Sequence, residues 1–237
     1  MNPRRETVNF FVAPSTPASQ VDLPLDSGML CAKMAFRAFG ALEPEPGMSE
    51  REVRRMTPAE FFDWQARQDR NYELVDGIPV VTIKAMTGAS TRHDTVTVNA
   101  LASLDSQLRG KPCRPRTDDQ AVVLPSGRVR RPDLLVDCGS PAPTAMAADG
   151  PRVVVEVLSP SAMRYDRFQK LEEYKTHPAI RAILLVDTEA PRVTVWRRGE
   201  NGWGYSEEAG MEATIDLPEI EAALGLADLY ETIAFET

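Results

Sequence analysis

Two short apolar runs, each carrying a single carboxylate, constrain this chain more than anything else in it. Leu134-Leu135-Val136 follows Pro132-Asp133, and Val153 to Leu158 holds Glu156 in its interior. Runs this short and β-branched predict buried strands. A carboxylate inside such a strand is costly to bury unless it is paired or bound to a cation. On a side-chain period of two, Val154, Glu156 and Leu158 share one face. Two such carboxylates, on strands that can lie side by side, point to a divalent metal site. Next along the chain, Asp166, Lys170 and Tyr174 stand at i, i+4 and i+8, one face of a helix.

The rest of the chain supplies the setting. Thr57-Pro58-Ala59-Glu60 is a capping box with Pro at the first helical position. Tyr72 to Ile83 predicts a hairpin turning at Asp76-Gly77, and Pro79 puts its second strand at an edge. Ser90 caps a second helix, whose Leu101, Leu104 and Leu108 fall at helical spacing before Gly110. Strands are expected at Ala121 to Leu124, Leu134 to Val136, Val153 to Leu158, Ala182 to Val186 and Val193 to Trp196, with a helix ending near Tyr174. This order predicts an α/β (α+β) fold with a mixed sheet flanked by helices. Residues 1–50 lack periodicity and predict a disordered extension, or residues ahead of the true start. Residues 51–237 form the expected domain.

Charge enters because the chemistry needs a partner. The net charge is −8, which argues against a nucleic-acid ligand. However, the segment from Glu200 onward holds ten of the acidic residues and no Lys or Arg. Between Arg109 and Arg131, Arg and Lys outnumber the two acids Asp118 and Asp119. A phosphate backbone needs a local basic surface rather than a basic protein, and Arg128, Arg130 and Arg131 are the candidates for one. A solvated loop explains the stretch equally well. Three cysteines, Cys31, Cys113 and Cys138, without metal-ligand spacing fit a reducing cytosol. With no membrane-length apolar run and no signal-peptide core, a cytoplasmic protein is expected.

The motifs together resemble the PD-(D/E)XK nuclease superfamily, and within it the Uma-type restriction endonuclease branch. The run is Glu73-Leu74-Val75-Asp76-Gly77, then His93, Pro132-Asp133, Glu156-Val157-Leu158-Ser159-Pro160-Ser161, then Asp166, Lys170 and Tyr174. The likeness extends from about Met56 to the C-terminus. One departure is visible: Ile183 and Leu184 stand before Leu185-Val186-Asp187 where the branch has an aromatic pair. The resemblance implies a restriction-endonuclease-like core, DNA as substrate, and a homodimer that cuts two strands. It also implies that Lys170 takes the role a Lys two residues after the Glu has elsewhere in the superfamily. That position here is Leu158.

Phosphodiester hydrolysis needs an in-line water, charge relief on the phosphate and help for the leaving oxygen. Mg²⁺ or Mn²⁺ held by carboxylates can supply all three. Asp133 and Glu156 are the expected ligands, with Glu73 completing the set and Lys170 beside the phosphate. His93, Asp166 and Tyr174 are candidate auxiliaries. Each residue has a plainer reading alone: Asp133 as a strand-opening cap, Glu73 as a strand-edge carboxylate, His93 as a surface His near a helix start. Lys170 alone reads as an exposed partner of Asp166, worth roughly 0.3–0.5 kcal/mol. A non-catalytic DNA-binding module, or a regulatory protein with an acidic C-terminal interface, stands as the alternative.

Overall fold

The computed structural model describes residues 54–81, 90–158 and 164–235. The expected N-terminal extension, the end of the hairpin at Ile83 and the Ser-Pro-Ser motif lie outside them. In chain order the elements are α1 (Pro58–Gln65), β1 (Tyr72–Val75), β2 (Ile78–Val81), α2 (Thr91–Leu108), β3 (Arg114–Thr117), β4 (Val122–Val123), β5 (Val129–Arg130) and β6 (Leu134–Asp137). There follow β7 (Pro151–Leu158), α3 (Arg164–Thr176), β8 (Ala182–Asp187), β9 (Arg192–Gly199), β10 (Gly202–Ala209), β11 (Thr214–Leu217), β12 (Ala222–Gly225) and α4 (Leu226–Leu229).

Local chemistry sets the first half. The Thr57 hydroxyl accepts from the Glu60 N–H at 3.3 Å, and Glu60 Oε2 accepts from the Thr57 N–H at 2.9 Å. That reciprocal pair starts α1 where the sequence predicts. Asp76 and Gly77 take φ of 50° and 79°, the double positive φ of a two-residue hairpin turn. A Cβ on Gly77 would stand 2.6 Å from the Arg55 Cβ, so the turn needs glycine for space as well as for φ. The hairpin joins a four-stranded sheet of order β2-β1-β5-β4 with β2 at its edge. Phe61 of α1 packs with Leu74, Ala121 and Val129 under that sheet.

The main sheet has six strands in order β10-β9-β8-β7-β6-β3. Only β7 and β8 run parallel; every other neighbour is antiparallel. A parallel pair needs a crossover, and α3 is that crossover. Alternation along β7 then sorts side chains between two layers. Val153, Val155 and Val157, with Leu134 and Val136, pack with Leu104 and Leu108 of α2. Val154 and Leu135 pack with Leu171 and Tyr174 of α3. Each fully buried Leu or Val contributes about 1.5–3 kcal/mol. Glu156 is on the period of Val154, so the helix-bearing α3 layer is its own.

The α/β (α+β) fold with a mixed, helix-flanked sheet is as the sequence predicts. Several strands are not: β3, β5, β10, β11 and β12 were not expected, and the strand read over Ala121 to Leu124 shrinks to Val122–Val123. The reading of the cysteines is also corrected. Arg114 pairs with Asp137 across β3 and β6, which brings the next residues, Cys113 and Cys138, opposite each other, and they form a disulfide. With two of the three cysteines joined, the cysteines do not point to a reducing compartment. Among the described residues, no helix is long and apolar enough to cross a membrane.

Candidate active site

The β6–β7 register brings the two strand carboxylates together. Leu134 pairs with Val155, so Asp133, one residue earlier, arrives beside Glu156 and Val157. Asp133 Oδ2 accepts from the Val157 N–H at 2.8 Å, and Oδ1 stands 3.3 Å from His93 Nε2. The sequence places His93 in the first turn of α2, where its own N–H bonds to the Ser90 cap at 3.2 Å. His93 is buried rather than on the surface, and it holds the Asp133 oxygen that the Val157 amide does not. Its Nδ1 has no hydrogen-bond partner among the described residues.

Helix α3 brings the next two groups to Glu156. Tyr174, fully buried, donates to Glu156 Oε1 at 2.7 Å. Lys170 stands one turn earlier on the same side, consistent with i, i+4 geometry. Its Nζ donates to Glu73 Oε1 at 2.9 Å. Burial pushes the Glu156 carboxyl up to about 8; Lys170 and the Tyr174 bond pull it down, and the charges of Asp133 and Glu73 push it further up. Burial and the Glu156 charge likewise hold the Tyr174 phenol well above its usual range. The side chain of Asp166, an expected auxiliary, lies outside the described residues.

Glu73 has a different task from the one expected. Besides Lys170, its Oε1 accepts from the Arg131 N–H at 3.1 Å, and its Oε2 accepts from Arg130 Nη1 at 2.8 Å. Burial works against its charge, but Lys170 and Arg130 outweigh that and hold its carboxyl below the usual range. With its oxygens paired to the Lys170 and Arg130 cations, Glu73 fits a counterion better than a metal ligand, since a divalent ion would meet positive charge there. Asp133 and Glu156 do fit. They are two adjacent oxygen-donor carboxylates, and Glu156 is raised chiefly by burial and further by the Asp133 charge, so a bound cation would favour its charged form. Mg²⁺ is commonly held through only one or two carboxylates. Among the described residues, no group of three or more His, Cys, Asp or Glu is arranged to hold a metal ion.

The arginines expected to face DNA are turned inward. Arg130 and Arg131 are 3% and 5% exposed. Arg131 donates to the carbonyls of Tyr72, Asp118 and Asp119. Arg130 binds Glu73 and, through two nitrogens, Glu173. Arg128 is half-buried between Asp76 and Glu173. Their clustering in sequence reflects internal pairing rather than a basic surface. Glu173 is the residue that sequence reasoning missed. Its signal was its position, three residues after Lys170 on a helix already assigned to the site.

A family profile described as "Uma2: Putative restriction endonuclease" matches residues 58–227. The uncharacterized protein slr1290 of Synechocystis sp. is 26% identical over 183 residues, spanning 76% of this chain and 94% of that protein. Its fellow, the uncharacterized protein sll1609, is 28% identical over 168 residues, spanning 68% and 92%. Among solved structures, one described as "a putative nuclease belonging to DUF820" from Anabaena variabilis matches with a TM-score of 0.59, covering 74% of this chain and 97% of that one. At 17% identity, that likeness shows the fold.

Proposed function

Because this chain belongs to the Uma2 family, we propose that it is a metal-dependent endonuclease hydrolysing DNA phosphodiester bonds beside Asp133 and Glu156. The observation that carries this reading is the meeting of those two carboxylates with the Lys170 ammonium at one end of the β6–β7 pair. Residues 51–237 are the nuclease domain, and residues 1–50 are an extension to it. A homodimer is the unit that cuts both strands.

Asp133 and Glu156 would hold Mg²⁺ or Mn²⁺, which when bound supplies charge relief on the phosphate and a more acidic water. The protein's own groups do the rest. His93 and the Val157 amide fix the two oxygens of Asp133. Tyr174 fixes Oε1 of Glu156, so both carboxylates are oriented before substrate arrives. Lys170 meets the charge that grows on the attacked phosphate. An ammonium carries three donors, so it can face a phosphate oxygen while Glu73 holds it. Glu73 keeps that cation in place, which is the preorganised form of electrostatic stabilisation.

The test is incubation of the purified full chain with supercoiled plasmid and Mg²⁺ or Mn²⁺, with Asp133→Ala and Glu156→Ala alongside. Nicked and linear products are expected from the wild type, and none from either variant, with unchanged circular dichroism. Equal cleavage by all three proteins would sink the assignment of chemistry to this site.

A further inference from the structure

Lys170 and Glu173 stand one helical turn apart on α3, and both reach the same pair of buried groups. Lys170 binds Glu73 Oε1 at 2.9 Å. Glu73 Oε2 takes Arg130 Nη1 at 2.8 Å. Arg130 then binds Glu173 with two nitrogens, Nε at 2.6 Å and Nη2 at 3.0 Å. The helix backbone from Glu173 back to Lys170 closes a ring. Arg128, with bonds to Glu173 and to Asp76 in the hairpin turn, ties the ring to the β1–β2 hairpin.

Resting on the nuclease reading above, we infer that Arg130 and Glu173 are positioning residues, which act through Glu73 to set where the Lys170 ammonium stands. Stability alone is a poor explanation of the ring. Buried ion pairs lose in desolvation much of what they gain in attraction, and apolar side chains of equal volume often hold two elements together as well or better. What apolar side chains cannot do is fix the location of a charge. A two-nitrogen Arg–carboxylate contact fixes distance and plane together. Arg130 is therefore held to Glu173, and Glu73 is shared between Arg130 and Lys170 instead of being captured by either. Without the Glu173 charge, Arg130 has one carboxylate left, and it competes with Lys170 for Glu73. The Lys170–Glu73 contact is then weakened while those of Asp133 and Glu156 are kept, because His93, Val157 and Tyr174 lie outside the ring.

The test compares Glu173→Gln and Arg130→Lys with the wild-type full chain. Three quantities are read: kcat and KM on supercoiled plasmid with Mg²⁺, the rate of acylation of Lys170 by acetic anhydride mapped by mass spectrometry, and Tm. Lys175 on the same helix is the internal reference for acylation. In Glu173→Gln, kcat is expected to fall by between about 10- and 100-fold, the scale of a misplacement near 1 Å, with KM unchanged. Lys170 is expected to acylate faster relative to Lys175. Arg130→Lys keeps the charge but loses the fork, and is expected to give a smaller change of the same sign. Wild-type kcat in Glu173→Gln, or a loss appearing wholly in KM, overturns the inference. If the wild type does not cleave DNA, the nuclease reading fails, and acylation still decides the ring. An unchanged Lys170 to Lys175 ratio in both variants then overturns it, whereas a raised ratio with native Tm upholds it. If Glu173→Gln does not fold, Arg130→Lys decides by the same readouts.

Discussion

Tyr174 donates to Oε1 of Glu156 over 2.7 Å, from a helix position one turn beyond Lys170. A single helical face therefore handles both Glu156, through Tyr174, and Glu73, through Lys170. It separates the roles of the two glutamates: one is oriented by a neutral donor and stays available, the other is neutralised by cations.

The first prediction concerns Lys170. Lys170→Ala should lower kcat by about 100-fold or more, the usual cost of one group that acts on transition-state charge. Metal affinity by calorimetry should be retained. Leu158 ends β7 on the period of Glu156, so Lys170→Ala combined with Leu158→Lys should recover part of the rate. A wild-type rate in Lys170→Ala would show that the ammonium plays no part.

A second prediction follows from the Glu156 carboxyl, held near 8 against a usual 4.5. Between those two values the folded chain binds a proton that the unfolded chain releases. Stability contributed by this group is thus fully present at low pH and lost as pH rises through that window. In the presence of chelator, Glu156→Gln, which mimics the protonated form, should gain Tm relative to wild type as pH is raised from 5 to 8.5. A pH-independent difference would mean that Glu156 titrates normally.

Arg130 supplies the third. Arg130→Ala removes one partner from a buried ion cluster and leaves Glu73 and Glu173 undercompensated. The expected loss is about 3–5 kcal/mol, read from urea unfolding. A change below about 0.5 kcal/mol, typical of surface sites, would place this guanidinium in solvent.

The fourth concerns Cys113 and Cys138. In denaturant without reductant, one thiol of the three cysteines should titrate, and three after reduction. The crosslink spans 25 residues, and the Cys113→Ser, Cys138→Ser protein should lose about 3 kcal/mol. Three reactive thiols before reduction would show that the bond does not form in the isolated protein.

What the sequence revealed was mostly local. The capping box at Thr57, the Asp76-Gly77 turn and the Val153–Leu158 strand are written in adjacent residues, and each is where it was expected. The helix spacing of Lys170 and Tyr174 likewise foretold a shared face. The misses have physical causes. β10 carries Gly202, Gly204, Glu207 and Glu208, so it lacks the alternation that marks a strand, and it is held by pairing with β9. β3 contains Pro115 between two arginines, and its strand character comes from β6. Arg130 and Arg131 look like surface charge until Glu73, almost sixty residues away, is folded beside them. No local pattern announces such a partner.

The parallel β7–β8 pair has a consequence for how the site comes into being. Those strands cannot register until the chain between them has wound into α3 and returned across the sheet, so closing the sheet and delivering Lys170 and Tyr174 to Glu156 are one topological event. Loop closure of this kind must be completed before its contacts reward it, which makes it a slow part of folding. A nascent chain that stops at β7 would thus display two strand carboxylates without the ammonium that completes them. The protein would acquire its charge-handling machinery all at once, when the crossover closes.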